Sequence, residues 1–289
     1  MVYHTPVLLE EIIKYFDPKP SQIYVDATLG NGGHTIEILK TGAKVFGIEQ
    51  DPVNLKITTE RIHGLNLENN FVPIHGNFNE LENIFTKTIH ISPDGILFDL
   101  GLSKNQLMSQ DRGFSYNDNL SLDMRLDPKN QEITAEYIIN TYSFEELYEI
   151  FTKYAQEVYS KPLIIRIISA RQKKPIKNGL QLAEIIRSYY QEKHNRSRLD
   201  PSTKIFMALR IAVNDEFNNL KSALSQAVNI SKTGTNICVI TFHSGEDRIV
   251  KQFVKEKFKK APKPVMPNAE ELIKNPLSRS AVLRSFRIN

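Results

Sequence analysis

The sequence predicts an α/β protein: a doubly wound, mainly parallel sheet whose connectivity is interrupted by a mostly helical insertion. Three observations carry this expectation. Short β-branched or wholly apolar runs alternate with helical patterns over residues 22–101. The first run leads straight into a glycine-rich turn, "DATLGNGG". More than 130 residues then separate "DGILFDLG" from the next run of the same character, "TNICVITFHS". That is far longer than one crossover requires.

In order, "QIYVDAT" predicts a first strand ending at Asp26, and "HTIEILKTG" a helix with Ile36 and Leu39 on one face, stopped by Gly42. "AKVFGIEQD" predicts a second strand ending at Glu49. Asp51 followed by Pro52 is an N-cap with proline at the first helical position, opening "PVNLKITTERIHGL". "FVPIHGNF" and "DGILFDLG" are the third and fourth strands, the latter nearly all apolar, as burial on both faces demands. Helical spacing dominates residues 143–223, in "SFEELYEIFTKYAQEVY", "LQLAEIIRSYY" and "FMALRIAVNDEFNNLKSAL". "TNICVITFHS" returns to the sheet, and the Pro/Lys-rich "KKAPKPVMP" at 259–267 is the only linker-like segment. No internal repeat is visible.

The 289 residues, 40% hydrophobic and 24% charged, suit a soluble globular chain with room for a large core. Cys238 is the only cysteine, which excludes internal disulfides and cysteine zinc sites and points to a reducing compartment. The N-terminus lacks a signal-peptide pattern, and no apolar run reaches the roughly 18 residues of a membrane span. The expectation is a cytoplasmic protein without membrane contact. Charge is segregated: residues 1–150 hold 11 Lys/Arg against 22 Asp/Glu, a net of −11, and residues 151–289 hold 26 against 11, a net of +15. The second half is a candidate polyanion surface.

Three kinds of ligand compete for the glycine loop. A nucleoside triphosphate site needs a lysine after the last glycine, and none is present. A dinucleotide site needs G-x-G-x-x-G, whereas this loop offers Gly30, Gly32 and Gly33, followed by His34. Asp26, at the end of the first strand, would repel a pyrophosphate but attract an ammonium or sulfonium. S-adenosylmethionine carries both. Glu49, 23 residues after Asp26, can accept from ribose hydroxyls, in this cofactor or in NAD. An ordinary tight strand-to-helix turn is the plain alternative.

The motifs "HTPVLLEE", "VDATLGNGGHT", "DGILFDLGLS", "DRGFSYNDNLSLDMRLDP", "FMALRIAVNDEF" and "TFHSGEDRIVK" occur in that order, from His4 to the closing "NPLSRSAVLR". In these the chain resembles the bacterial 16S ribosomal RNA cytosine-N4 methyltransferases of the MraW type. The resemblance implies a Rossmann-like class I methyltransferase sheet over 1–106 and 207–289, with an inserted helical substrate-recognition domain over 107–206. It implies S-adenosyl-L-methionine as cofactor, contacted by Gly32, Gly33, His34, Glu49, Phe78, Asp99 and Gln106. It also implies a cytidine of the decoding region as substrate, in 16S rRNA within the small subunit or its assembly intermediate. A homodimer stays open. The chain departs from the family pattern at "YAQE", at "LIIRI", at Lys204 and Met207, and at Gly245, where leucine is usual.

Methyl transfer to an exocyclic amine is an in-line displacement that needs alignment and exclusion of water. The amine lone pair is delocalised, so acceptors for its protons would localise it, and Asp99 is the first candidate, with the Leu100 carbonyl assisting. Many amino-methyltransferases carry a Pro-Pro-aromatic motif at this strand end; this chain has "DLGL". His243, at the end of the fifth strand, is a second catalytic candidate. The loop holding Asp111, Arg112, Asp123 and Arg125 reads as a salt-bridged lid, with Arg112 and Arg125 turned to RNA. Further RNA contacts are expected from Tyr189 and Tyr190 beside Lys193, His194, Arg196 and Arg198, from Lys204 and Arg210, and from the 248–263 cluster beginning at Arg248. No metal cluster is evident. Two alternatives remain in view: a non-catalytic RNA-binding or ribosome-assembly factor, and an NAD-dependent oxidoreductase, which Asp26 and the glycine spacing oppose.

Overall fold

The structure, a computed structural model, describes residues 5–103, 106, 112–194, 200–258 and 263–289. The chain divides into two compact units, Met1–Lys104 with Phe217–Asn289, and Asn105–Glu216.

The first unit begins with α1 (Leu9–Phe16), β1 (Ile23–Asp26), α2 (Gly33–Leu39), β2 (Lys44–Glu49), α3 (Pro52–His63), β3 (Phe71–His75), a short α4 (Leu81–Ile84) and β4 (Gly95–Asp99). Its helix boundaries follow local chemistry. The Asp51 side chain accepts from the amides of Val53 and Asn54 at the start of α3, and Pro52 occupies the first turn. Gly42, at φ +83, turns the chain after α2.

The second unit holds α5 (Ala135–Thr141), α6 (Phe144–Lys153), α7 (Ser160–Lys173), α8 (Gly179–Glu192) and α9 (Ser202–Asn214). Ser143 and Glu146 form a reciprocal capping box on α6, and Thr134 and Asn178 cap α5 and α8. The boundary expected between 206 and 207 falls inside α9, whose Ile205, Phe206 and Leu209 are buried. The helix runs to Asn214 and stops at Asp215, φ +49.

The chain returns to the first unit through α10 (Glu216–Ile230), β5 (Asn236–Thr241), α11 (Ser244–Phe258), α12 (Ala269–Lys274) and β6 (Val282–Arg287). The strands form one sheet in the order β3-β2-β1-β4-β5-β6. All pairs are parallel except β5 with β6, which is antiparallel. Pro73 lies in β3, an edge strand, where a missing amide is tolerated.

Alternate residues of each strand feed two cores. Val25, Ala27, Phe46, Ile48, Ile96, Phe98, Ile237 and Val239 pack with residues of α10 and α11, including Leu220, Leu224 and Val250. Tyr24, Val45, Leu97, Cys238 and Ile240 pack on the opposite face with Ile12 of α1 and Ile36 of α2. Both faces of β4 are therefore covered, which accounts for its apolar sequence. After β3 the chain returns to the far side of β1, so the winding reverses between β1 and β4. A crevice opens at the carboxyl ends of strands flanking such a reversal. Asp26 and Asp99 end those two strands.

Candidate active site

Asp26 is 2% exposed. Its Oδ2 accepts from Thr35 Oγ1 at 2.6 Å and its Oδ1 from the Thr28 amide at 3.2 Å. Thr28 Oγ1 in turn accepts from the Asp99 amide at 2.5 Å, so the two strand ends are tied through one threonine. The Asp99 side chain keeps 24% of its surface exposed, but its Oδ1 is buried without a hydrogen-bond partner among the described residues. Burial pushes both carboxyls up. Asp99 reaches about 7, with the Gly101 amide pulling it down and the charge of Glu246 adding to the rise. His34 is buried, with Nε2 2.9 Å from the Val7 carbonyl oxygen and Nδ1 3.6 Å from Asp99 Oδ2. Burial draws its pKa down, against the opposing charge of Asp26.

Close approach explains the glycines of the loop. At Gly32, φ +72, a Cβ would come within 2.6 Å of Thr58 Cγ2, and at Gly33 within 2.9 Å of Pro6 Cγ. The loop is pinned from α3, with Thr58 Oγ1 donating to the Gly30 carbonyl at 2.6 Å and Arg61 Nη1 to that of Asn31 at 2.6 Å.

Glu49 does more for the loop than the sequence suggests. Its carboxylate accepts from the Gly30 amide (2.9 Å), the Asp51 amide (2.9 Å) and Asn54 Nδ2 (3.1 Å). Three of about four lone-pair positions are thereby filled, leaving one on Oε1. Burial pushes its pKa up to about 7 against these donors. Phe78 follows β3, with its ring edge-on to Phe98 at 6.0 Å. Gln106 is buried and belongs to the second unit.

His243 follows β5, its ring 5.6 Å from that of Phe217. Glu246, in the first turn of α11 and 2% exposed, holds this corner. Its Oε2 accepts from the amides of Phe242 (2.8 Å) and His243 (3.3 Å). Its Oε1 lies 3.2 Å from His243 Nε2, although that buried nitrogen makes no aligned hydrogen bond among the described residues. Neither Glu246 nor Thr28 emerged from the sequence; an acid three residues after a strand-ending histidine, at a helix start, is the signal for the former. Gly245 has a local cause as well. A Cβ there would meet Phe217 Cζ at 2.5 Å and His243 Nδ1 at 3.1 Å, so the Phe217 ring fills the space a side chain would need. Gly245→Leu is expected to destabilise the protein by about 1–3 kcal/mol through overpacking, read from urea melts.

The expected RNA residues separate into groups. Arg112 donates to the carbonyls of Arg125 (2.6 Å) and Leu126 (2.9 Å). Arg125 pairs with Asp123 through Nε and Nη2, both at 2.7 Å, and also bonds the Gln131 carbonyl. Arg210 makes a two-bond pair with Glu216, at 2.7 and 2.9 Å. These guanidinium groups fasten their own unit. Lys204 and Arg248 are exposed, and Arg196 and Arg198 lie outside the described residues. Tyr189 and Tyr190 are only 5% and 9% exposed, edge-on to Tyr159, with Tyr190 Oη donating to Glu157 at 2.7 Å. They are core residues rather than a stacking platform, because they share the inward face of α8 with Leu182 and Ile186. Among the described residues, no helix is long and apolar enough to cross a membrane.

Residues 1–289 match the MraW methylase family. Relatives named ribosomal RNA small subunit methyltransferase H are similar over nearly all of both chains. That of Halothermothrix orenii is 41% identical, covering 98% of this chain and 98% of its own. That of a Hydrogenobaculum species is 39% identical, covering 99% and 96%. That of Mycoplasma mycoides subsp. mycoides is 39% identical, covering 97% of each. With the whole chain matched, and with acids at the reversal of a doubly wound sheet, this protein belongs to the MraW methylase family.

Proposed function

We propose that this protein is an S-adenosylmethionine-dependent methyltransferase acting on the exocyclic N4 amine of a cytidine in small-subunit ribosomal RNA. The observation that carries the reading is the pairing of Asp26 and Asp99 at the carboxyl ends of β1 and β4, joined through Thr28. The residues fit this cofactor: the site is lined by carboxylates, which favour a cationic ligand over a pyrophosphate. When bound, the cofactor supplies an electrophilic methyl group on a sulfonium. Asp26 then neutralises positive charge at the end of β1, and Glu49 holds the Gly30 turn in shape while offering its remaining lone pair. Phe78, beside Phe98, suits the adenine. Asp99 Oδ1, buried and without a hydrogen-bond partner among the described residues, would accept a hydrogen bond from an amine N–H, localising the nitrogen lone pair for the methyl group, and would take up the proton released as the N–C bond forms. His243, held by Glu246, borders the substrate.

RNA recognition belongs in this reading to the basic second half, with Lys204 and Arg248 as phosphate contacts and Arg112, Arg125 and Arg210 shaping the inserted unit. Arg196 and Arg198 keep the RNA-contacting role expected from the sequence. The buried thiol of Cys238 fits a reducing cytoplasm.

The test is transfer of labelled methyl to purified small subunits lacking the modification, with the product nucleotide identified by mass spectrometry. Label in N4-methylcytidine is expected; label in another nucleotide, or none, overturns the substrate assignment. Lys204→Glu and Arg248→Glu should each weaken RNA binding and lower the slope of log K against log salt by about 1. An unchanged slope removes that residue from the RNA face.

A further inference from the structure

One ring nitrogen of His34 is committed and the other is not. Nε2 lies 2.9 Å from the Val7 carbonyl oxygen. A carbonyl only accepts, so Nε2 carries hydrogen and Nδ1 is the nitrogen that titrates. Nδ1 faces Asp99 Oδ2 at 3.6 Å. With neither group protonated, two sets of lone pairs would oppose each other in an enclosed place. One proton between them converts repulsion into a charge-assisted hydrogen bond after an approach of roughly 0.7 Å. Catalytic contacts commonly tighten by such amounts once ligands bind.

We propose that one resident proton lies between His34 Nδ1 and Asp99 Oδ2, so that His34 orients the Asp99 carboxyl with Oδ1 turned to the substrate amine. The inference rests on the methyl-transfer reading above. It makes His34, whose ring is buried and anchored to Val7, a positioning residue acting through Asp99. Asp99 Oδ1, buried without a partner among the described residues, is then the oxygen that receives the amine N–H. Among the described residues, the charged groups acting on the pair are Asp26 and Glu271 around His34 and Glu246 around Asp99. All are acidic, and their field retains a proton at the pair.

The experiment is nitrogen NMR of the histidine-labelled full chain at pH 7, on the wild type, Asp99→Ala and Asp99→Asn. In the wild type, Nε2 is expected to bear hydrogen and Nδ1 to show the displaced resonance of a hydrogen-bonded nitrogen. Asp99→Ala should move Nδ1 to the position of a bare acceptor, and Asp99→Asn, whose amide can donate, should restore much of the displacement. The wild-type spectrum alone decides the tautomer if a variant fails to fold: hydrogen on Nδ1 with bare Nε2 overturns the proposal, as does an Nδ1 resonance identical in wild type and Asp99→Ala. Thermal shift with S-adenosylhomocysteine runs in parallel. Absence of cofactor binding would sink the methyl-transfer reading and leave the spectroscopic answer standing, so the two failures are distinguishable.

Discussion

Asp99→Ala is expected to lower kcat for methyl transfer by about 10²–10⁴-fold, the range for losing a positioned proton acceptor, while S-adenosylhomocysteine binds nearly as before. The basis is the division of labour within one carboxyl group. Its amide is bonded to Thr28 and its Oδ2 faces His34, leaving Oδ1 buried and without a partner among the described residues. Deleting the side chain removes the acceptor but leaves the Asp26–Thr28–Thr35 contacts and the Glu49 loop in place. Single-turnover rates and calorimetric cofactor titration separate the two effects; equal losses in both would assign Asp99 to cofactor binding alone. The same group sets a pH dependence. Its carboxyl is raised to about 7, so below that pH it is mostly protonated, a weaker hydrogen-bond acceptor and no base, and above it ionised. The kcat/KM of the wild type should therefore rise with pH through about 7 and level off, as expected when the free enzyme's base must be ionised. A profile flat from pH 6 to 8 would exclude Asp99 as that base.

Glu49→Ala should be the most damaging single change to the loop. It strands the amides of Gly30 and Asp51 and the Asn54 side chain, three donors that the carboxylate now satisfies. Losing partners for buried donors costs about 1–3 kcal/mol per group, with water recovering part where it can enter. A net loss of about 3 kcal/mol in urea unfolding is expected, together with cofactor binding weakened at least about tenfold, since the loop is displaced and the last lone pair is gone. Glu49→Gln should fall between, because one oxygen still accepts while its amide opposes a donor. A Glu49→Ala protein as stable as the wild type would show that the three bonds contribute nothing net.

The parts of the site legible in the sequence are those fixed by position along a strand. Asp26, Glu49 and Asp99 each close a strand, and a doubly wound sheet brings strand ends to one edge whatever the helices do. What the sequence hid depends on which atom meets which. Thr28 and Glu246 matter through bonds to backbone amides that leave no compositional trace. Arg112, Arg125 and Arg210 add to the positive charge as counted, but carbonyls and carboxylates of their own unit occupy them. Tyr189 and Tyr190, beside basic residues, resembled an RNA platform; their spacing from Leu182 and Ile186 was the better guide, since it places them on the buried face of α8. β6 escaped notice because its six residues alternate only loosely in polarity and follow no hairpin turn, their partner β5 lying about 40 residues earlier.

The pairing of β4 with β5 constrains how the chain can fold. Asp99 lies opposite Ile240, about 140 residues later, and β5 then waits for β6 to cover its other edge. A contact of such sequence separation forms slowly, because chain entropy must be lost before any pairing energy returns. The intervening unit is built of helices, whose backbone hydrogen bonds are local, so it can condense early and shorten the effective loop. On a translating ribosome, the sheet stays open along β5 until β6, about 40 residues later, has emerged. Closure of the sheet thus lags the synthesis of β5, and the interval in which the β5 edge is uncovered is the one of greatest exposure to mispairing.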